Sequence, residues 1–317
     1  MTPLMTSLVS AVRRIFFSPD RRLRSGWRLL LHSILAFGLA IGFSLPFIVA
    51  MTALMYLGIH NDAADLLLSL LPTFFGFVLA SFLARRFLDR RSFASLGLRV
   101  HRRAWLDVGI GILISAAMMA TILILELLLG WTHLDGFAWQ IEPPWRVLLG
   151  FLASLGLFIL VGIHEEIFSR GYQLQNLVEG LNLPWGVLLS SLIFAALHLG
   201  NPHVVWYTAL PGLLAAGLFL AFGWVRTREL WLPIGLHIGW NLFEGPVFGF
   251  PVSGLPTGRI LLQTVSGPIW FTGGEFGPEA GLIVLPGLIV GVLLIVLYTR
   301  RRQPAANKPV PHEPTAS

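Results

Sequence analysis

The sequence contains no cysteine and few charged residues. None of the 317 residues is Cys, so thiol catalysis, disulfide bonds and thiolate metal sites are excluded. Charged residues make up 12% of the chain and hydrophobic residues 55%, whereas a soluble domain carries about a quarter charged residues. The composition therefore favours a membrane protein over a soluble one.

Long apolar runs occupy most of the chain. A run of about 20 apolar residues can cross roughly 30 Å of hydrocarbon as a helix, and a helix satisfies its own backbone hydrogen bonds, as lipid requires. Eight such runs lie near residues 29–57, 66–84, 105–129, 147–172, 184–203, 204–224, 231–250 and 280–299. The sequence therefore predicts an all-α fold, a polytopic transmembrane helix bundle with about eight spans.

The arginines predict the orientation of these spans. They concentrate before the first span, in the second connection at 85–103, in the sixth connection at 226–228 and directly after the last span at 300–302. With eight spans all four segments fall on one side, and the positive-inside rule places both termini in the cytoplasm. The net charge of +6 is thereby explained by topology, and we expect no nucleic-acid partner.

Four regions follow from this pattern. Residues 1–28 form a basic segment without a signal peptide's apolar centre, and apolar residues at helical spacing predict an amphipathic surface helix, with a disordered basic tail as the alternative. Residues 29–130 hold the N-terminal transmembrane helices and 145–299 the candidate catalytic core. Residues 300–317 are expected to be a disordered cytoplasmic tail. The Gly- and Pro-rich stretch 245–278 predicts a re-entrant loop or an external lid.

Ionisable residues interrupt the fourth apolar run. Glu165, Glu166 and Arg170 lie at its end, and ionisable groups inside a span are costly and usually functional. Glu166 and Arg170 are four residues apart, so they share a helix face in the favourable order for an ion pair. Glu165 is rotated by about 100°, which leaves its carboxylate free for chemistry. An ordinary ion pair at a helix end is the alternative interpretation.

Two further spans carry polar residues. His198 lies in the fifth apolar run, and His237 and Asn241 lie four residues apart in the seventh. Hydrogen bonding between helices is the structural alternative for both. Glu165 and His198 are equally far from a polar turn near 181–182, so an antiparallel hairpin that projects into the cytoplasm would place them at one depth. The three sites can then meet in the cytoplasmic half of the membrane.

A carboxylate, two imidazoles and an amide suit hydrolysis. Glu165 can accept a proton from water, His198 can hold that water, and His237 and Asn241 can donate hydrogen bonds to the oxyanion. The set Glu165, His198 and His237 is also a known zinc ligand combination. No HExxH spacing is present. The cofactor is therefore open, and both a zinc-dependent mechanism and a metal-free glutamate mechanism are possible.

The residues that carry this chemistry resemble the motifs of a known family. Glu165 to Arg170 is similar to EExxxR, Phe194 to His198 to FxxxH, and His237 to Asn241 to the third motif of the CPBP group. This group includes CAAX prenyl proteases of the Ras-converting-enzyme type and bacteriocin-immunity relatives. The resemblance implies a membrane-embedded protease, with Glu165, His198, His237 and Asn241 catalytic and with Glu166 and Arg170 supporting.

Two other functions compete with this one. A catalytically inactive immunity or scaffold protein would keep the fold, although it has no need of four candidate catalytic groups. A proton-coupled transporter would also use Glu and His, but no inverted repeat is seen in the sequence. We therefore expect a multi-pass protein of the bacterial plasma membrane that cleaves a membrane protein or peptide within the lipid bilayer.

Overall fold

The computed structural model describes residues 15–20, 22–58, 62–255 and 257–302. Most of the predicted amphipathic segment and nearly all of the predicted tail lie outside these residues. The helices are α1 (Ser25–Tyr56), α2 (Asp62–Leu83), α3 (Arg102–Leu128), α4 (Pro144–Glu166), α5 (Leu174–Gly180), α6 (Leu183–His198), α7 (Trp206–Thr227), α8 (Trp231–Leu242), α9 (Ile269–Thr272) and α10 (Val284–Thr299). Strands β1 (Thr132–Phe137) and β2 (Leu261–Val265) form one small sheet.

The helices confirm the predicted fold class, an all-α polytopic bundle. Among the described residues, five helical stretches are long and apolar enough to cross a membrane: Ser25–Tyr56, Leu68–Leu88, Arg102–Leu128, Pro144–Gly180 and Trp206–Thr227. The other three predicted spans correspond to shorter helices. α6 and α10 have 16 residues each and α8 has 12. The protein is thus a multi-pass membrane protein in which three helices are too short to span by themselves.

The span predicted near 184–203 is shorter in the structure, the span predicted near 204–224 begins and ends later, and the seventh ends earlier than predicted. α6 ends at His198 and α7 begins at Trp206, and the turn between them contains Asn201 and Pro202. The seventh span ends at Leu242 because a π-helical turn, Phe243–Val247, follows and contains Pro246. Proline lacks the N–H that an α-helix needs at that position.

Tight packing of α8 fixes the direction of its polar face. A Cβ atom at Gly235 would overlap the backbone of Val108, and one at Gly239 would lie 2.6 Å from the Cα of Ile112. Both glycines therefore press α8 directly against α3, as small residues do between membrane helices. His237 is two residues from each glycine, about 200° around the helix. It must face away from α3, toward α4 and α6.

The stretch that contains α4 and α5 forms the predicted hairpin with α6, and its turn lies at residues 181–182, as predicted. α4 continues through a π-helical segment, Ile167–Gln173, into α5. Glu179, near the tip, is exposed and also forms ion pairs with Arg28 at 3.2 Å and Arg91 at 3.1 Å. These ion pairs join the tip to basic residues that are far away in sequence.

Next to the tip lies a buried charged group that we call the Asp89 cluster, made of Asp89, Arg28, Arg85, Tyr172 and Asn176. The Asp89 carboxylate accepts from Arg28 Nη1 at 2.7 Å and Arg85 Nη1 at 2.8 Å. Tyr172 and Asn176 donate to it at 3.3 and 3.4 Å. The cluster joins α1 and the end of α2 to the helical hairpin at the arginine-rich end of the bundle.

The opposite end carries a small sheet that the sequence did not predict. β1 and β2 pair in antiparallel fashion, with Thr132 opposite Val265 and Phe137 opposite Leu261. The stretch 245–278, predicted as a re-entrant loop or an external lid, contributes β2 and α9 to this end. Part of it returns to the bundle, where Val252, Ser253 and Leu255 line a cavity between the helices.

Candidate active site

Three helices bring one carboxylate and two imidazoles together. Glu165 near the end of α4 directs its Oε2 toward Nε2 of His198 on α6 at 3.7 Å and Nε2 of His237 on α8 at 3.9 Å. The equal depth predicted for Glu165 and His198 is confirmed by this contact. Both separations exceed a direct hydrogen bond, so the three polar atoms can surround a shared water molecule.

Hydrogen bonds on the far side orient both imidazole rings. His198 Nδ1 lies 2.8 Å from the Phe194 carbonyl oxygen, and His237 Nδ1 lies 2.9 Å from Glu166 Oε1. Because both of these oxygens are acceptors, each Nδ1 carries a proton and donates it. Each Nε2 therefore faces Glu165, and a fixed partner for the other ring nitrogen is the usual way to hold a functional histidine.

The predicted ion pair between Glu166 and Arg170 is confirmed, and it supports His237. Arg170 Nη1 donates to Glu166 Oε1 at 2.8 Å, the same oxygen that accepts from His237. Arg170 Nη2 also donates to the Gly217 carbonyl oxygen at 3.2 Å. All three side chains are buried. Glu166 thus acts through His237 and does not face the centre of the site.

Phe194 has a packing role that the sequence analysis did not assign. The Arg170 guanidinium lies over its ring, 4.2 Å from the centroid, and the His198 ring lies 4.5 Å away on the same helix. A cation over an aromatic face is attractive, so Phe194 links the Glu166–Arg170 pair to His198. The FxxxH spacing is the signal that could have suggested this, since residues four apart share a helix face.

The remaining predicted residue, Asn241, lies one turn after His237 on α8 and is buried. It lines the same cavity as Glu165, His198 and His237. The structure therefore brings the four predicted residues to one cavity.

The cavity has a volume of about 440 Å³ and combines apolar walls with this polar floor. α1 and α2 contribute Phe37, Leu70 and Phe77, and α4 contributes Phe158 and Val161. A volume in this range matches that of typical ligand pockets, which are mostly apolar with few polar groups. It can accommodate an apolar segment whose backbone reaches Glu165.

Two acidic residues near the cavity were missed. Glu279 lines the cavity and accepts a hydrogen bond from Ser253, and Glu244 is fully buried beside it. The chain has only 16 acidic residues, so a glutamate in the glycine-rich stretch 273–281 is a sequence signal for a functional residue. Its position could not be predicted, because 81 residues separate Glu279 from His198 and no local period relates them.

The donor types and ring orientations of Glu165, His198 and His237 match a zinc ligand set. In the described part of the chain, no group of three or more His, Asp or Glu residues is arranged as it stands to hold a metal ion. If zinc bound here, these three residues would hold it, and the metal would polarise the attacking water.

Comparisons with known proteins concern this same part of the chain. Residues 146–243 match the sequence model of a family described as type II CAAX prenyl endopeptidase Rce1-like. A curated protein named "Putative membrane peptidase YdiL" from Bacillus subtilis (strain 168) is 32% identical over 103 residues. That match spans 31% of this chain and only 40% of the relative. No solved structure matches the chain.

Proposed function

We propose, on the premise that the segment 146–243 belongs to the Rce1-like CPBP family of membrane peptidases, that the protein is an intramembrane endopeptidase. The observation that supports this most is the convergence of Glu165, His198 and His237 at the floor of an apolar cavity. A proteolytic site inside a membrane needs a water-activating group and a wall compatible with an apolar substrate, and the cavity offers both.

Glu165 activates the water. A water molecule between Glu165 Oε2 and the two Nε2 atoms donates one hydrogen to the carboxylate and one to His198. As the proton moves to Glu165, the water oxygen adds to the scissile carbonyl carbon, which becomes tetrahedral. The 3.7 Å and 3.9 Å separations support this step, since they are too long for direct hydrogen bonds and suit a bridging molecule.

His237 and Asn241 stabilise the oxyanion. The Asn241 amide donates as it stands, whereas His237 Nε2 donates only when both ring nitrogens carry protons. The Glu166 carboxylate at His237 Nδ1 stabilises that imidazolium charge, in the way a buried carboxylate supports the histidine of a catalytic triad. Arg170 in turn holds Glu166 in place. These roles assign catalysis to four residues and support to two.

The substrate is a membrane-associated protein or peptide. α1 and α2 form part of the cavity wall, and the long α1 exposes most of its surface to the surroundings. A substrate chain can therefore approach from the lipid and present its peptide bond to the polar floor. We propose that this floor lies in the cytoplasmic half of a bacterial plasma membrane, and the arginine pattern supports the cytoplasmic orientation.

The test compares membrane proteomes of cells that carry the wild type, Glu165→Gln or Glu142→Gln. Glu142 is exposed just before α4 and is the matched control. We expect the wild type and Glu142→Gln to release the same peptide products and Glu165→Gln to release none. Equal products from Glu165→Gln would reject water activation by Glu165. No product from any of the three would instead favour the scaffold function.

A further inference from the structure

A second carboxyl group faces the proposed reaction centre. Glu279 lies in a single turn, Pro278–Ala280, and its side chain is only 5% exposed. The Ser253 hydroxyl donates a hydrogen bond to its Oε1. Glu279 lines the same cavity as Glu165 and is within electrostatic range of His198 and His237. It is therefore a buried titratable group that the mechanism above leaves unused.

The backbone around Glu279 is held in place by close glycine contacts. A Cβ atom at Gly212 of α7 would collide with the Glu279 carbonyl oxygen, and one at Gly277 would collide with the Pro251 carbonyl oxygen. Gly277 also has a φ of 115°, a conformation that favours glycine. The backbone of the turn is thus pressed between α7 and Pro251, which leaves Glu279 little freedom to move away from the cavity.

Behind Glu279 lies a carboxyl group with no compensating charge. Glu244 is 0% exposed and points toward the Glu279 backbone N–H and the Trp240 indole N–H. Neither of its oxygens makes a hydrogen bond of ordinary geometry with the described residues. Two neighbouring buried carboxyl groups cannot both be ionised at low cost. The pair therefore retains a proton and titrates as a unit.

We propose that Glu279 is the acid that protonates the leaving amine nitrogen during peptide-bond cleavage. This inference rests on the proposed function. The Glu279–Glu244 pair supplies a neutral carboxyl group at the cavity wall, and Ser253 fixes its orientation. The groups that face Glu279 and influence its charge are Glu244, His198 and His237, with Ser253 and Trp240 as hydrogen-bonding neighbours.

Glu165 holds the proton taken from water, and the tetrahedral intermediate carries the new C–O bond. The C–N bond breaks, its electron pair stays on nitrogen, and the Glu279 proton moves to that nitrogen to give a neutral amine. Glu279 is then a carboxylate, and the proton on Glu165 returns to it through water. Overall, one water molecule and one amide give one carboxylic acid and one amine.

The test uses the full-length protein in detergent with an internally quenched peptide that the wild type cleaves. A second peptide carries an ester oxygen in place of the scissile amide nitrogen, because an alkoxide leaving group needs protonation far less than an amide nitrogen does. We expect Glu279→Gln to slow amide cleavage by about 10²- to 10⁴-fold and to slow ester cleavage much less. Glu275→Gln, an exposed change in the same turn region, should leave both rates unchanged.

A structural role would lower both rates together, so equal loss on amide and ester, or no loss on either, would overturn the proposal. Should Glu279→Gln fail to fold, Ser253→Ala keeps the carboxyl group and removes its fixing contact. We expect it to slow the amide selectively, and equal effects on both peptides would again overturn the proposal. Glu165→Gln should lose both reactions. Normal cleavage by that variant would instead reject the proposed function itself.

Discussion

The Asp89 cluster and the site around Glu165 differ in how completely their charged atoms are paired. Asp89 shares its two carboxylate oxygens among four side-chain donors, two of them guanidinium groups within 2.8 Å. Glu165 has no partner closer than 3.7 Å among the described contacts. A carboxylate whose oxygens are fully hydrogen-bonded stabilises the packing of helices, whereas one without close donors keeps a position for a reacting molecule.

Glu166 lies between these extremes. One of its oxygens accepts from both Arg170 and His237, and the other is buried without a hydrogen-bond partner in the described residues. Adjacent residues, Glu165 and Glu166, thus belong to different kinds of environment. The two also differ in exposure, since the Glu165 side chain is 23% exposed and the Glu166 side chain 0%, so exposure and the number and distance of donors both separate the reactive carboxylate from the structural ones.

The largest expected effect on stability comes from Asp89→Asn. It leaves the buried Arg85 without its counter-charge and the buried Arg28 with only the partly exposed Glu179 as a partner, and breaking a buried pair typically costs about 3–5 kcal/mol. We expect a large loss of folded protein, with normal activity for each molecule that folds. Stability is measured by thermal unfolding in detergent. Cleavage rates are divided by the number of active sites that bind a substrate peptide, which gives the rate for each folded molecule.

Glu165→Gln makes the same chemical change in the other environment, so it serves as the comparison. It should leave thermal unfolding close to that of the wild type and abolish cleavage. If both variants lost stability to a similar extent, the distinction between a fully hydrogen-bonded carboxylate and one without close donors would be wrong.

Asn241→Ala should have the next largest effect and should act on the rate alone. Loss of one oxyanion donor typically costs about 10² to 10³ in kcat, and Asn241 makes no ion pair whose loss would expose a charge. Steady-state kinetics should show a lower kcat with little change in KM. A raised KM at constant kcat would mean that Asn241 binds the substrate and does not stabilise the oxyanion.

A smaller effect is expected at the hairpin tip. Glu179 is partly exposed, and such ion pairs contribute about 0–1 kcal/mol, so Glu179→Cys should fold. Because the chain lacks cysteine, this single thiol can be labelled with an impermeant reagent. We expect labelling from the cytoplasmic side, slower than at the exposed control Ser92→Cys. Labelling from the external side would contradict the orientation.

Chelation should have no effect. The proposed steps use water held by Glu165, His198 and His237, so a strong zinc chelator should leave peptide cleavage at the untreated rate. The control is a zinc peptidase treated in parallel. Loss of cleavage that zinc restores would show that these three residues hold a metal ion.

The sequence predicted what depends on local spacing. The Glu166–Arg170 pair follows from a four-residue separation, and the common depth of Glu165 and His198 follows from counting residues to a polar turn. The contact between Glu166 and His237 spans 71 residues, and the β1–β2 pairing spans more than 120. Such contacts depend on how the helices cross, which no local period encodes.

The hairpin tip shows both outcomes. Glu179 is exposed, as its polarity predicted. Its ion pairs with Arg28 and Arg91 could not be predicted, because both arginines come from distant parts of the chain.

The π-helical segment Ile167–Gln173 makes the length of this stretch as important as its composition. All seven residues are buried, and Gln173 reaches His32 of α1 at 3.0 Å. Each residue advances an α-helix by about 100°, and a π turn accommodates an extra residue. Deleting one residue after Arg170 would leave the motif intact but rotate α5 out of phase with α1. The segment should therefore tolerate many substitutions better than a single insertion or deletion.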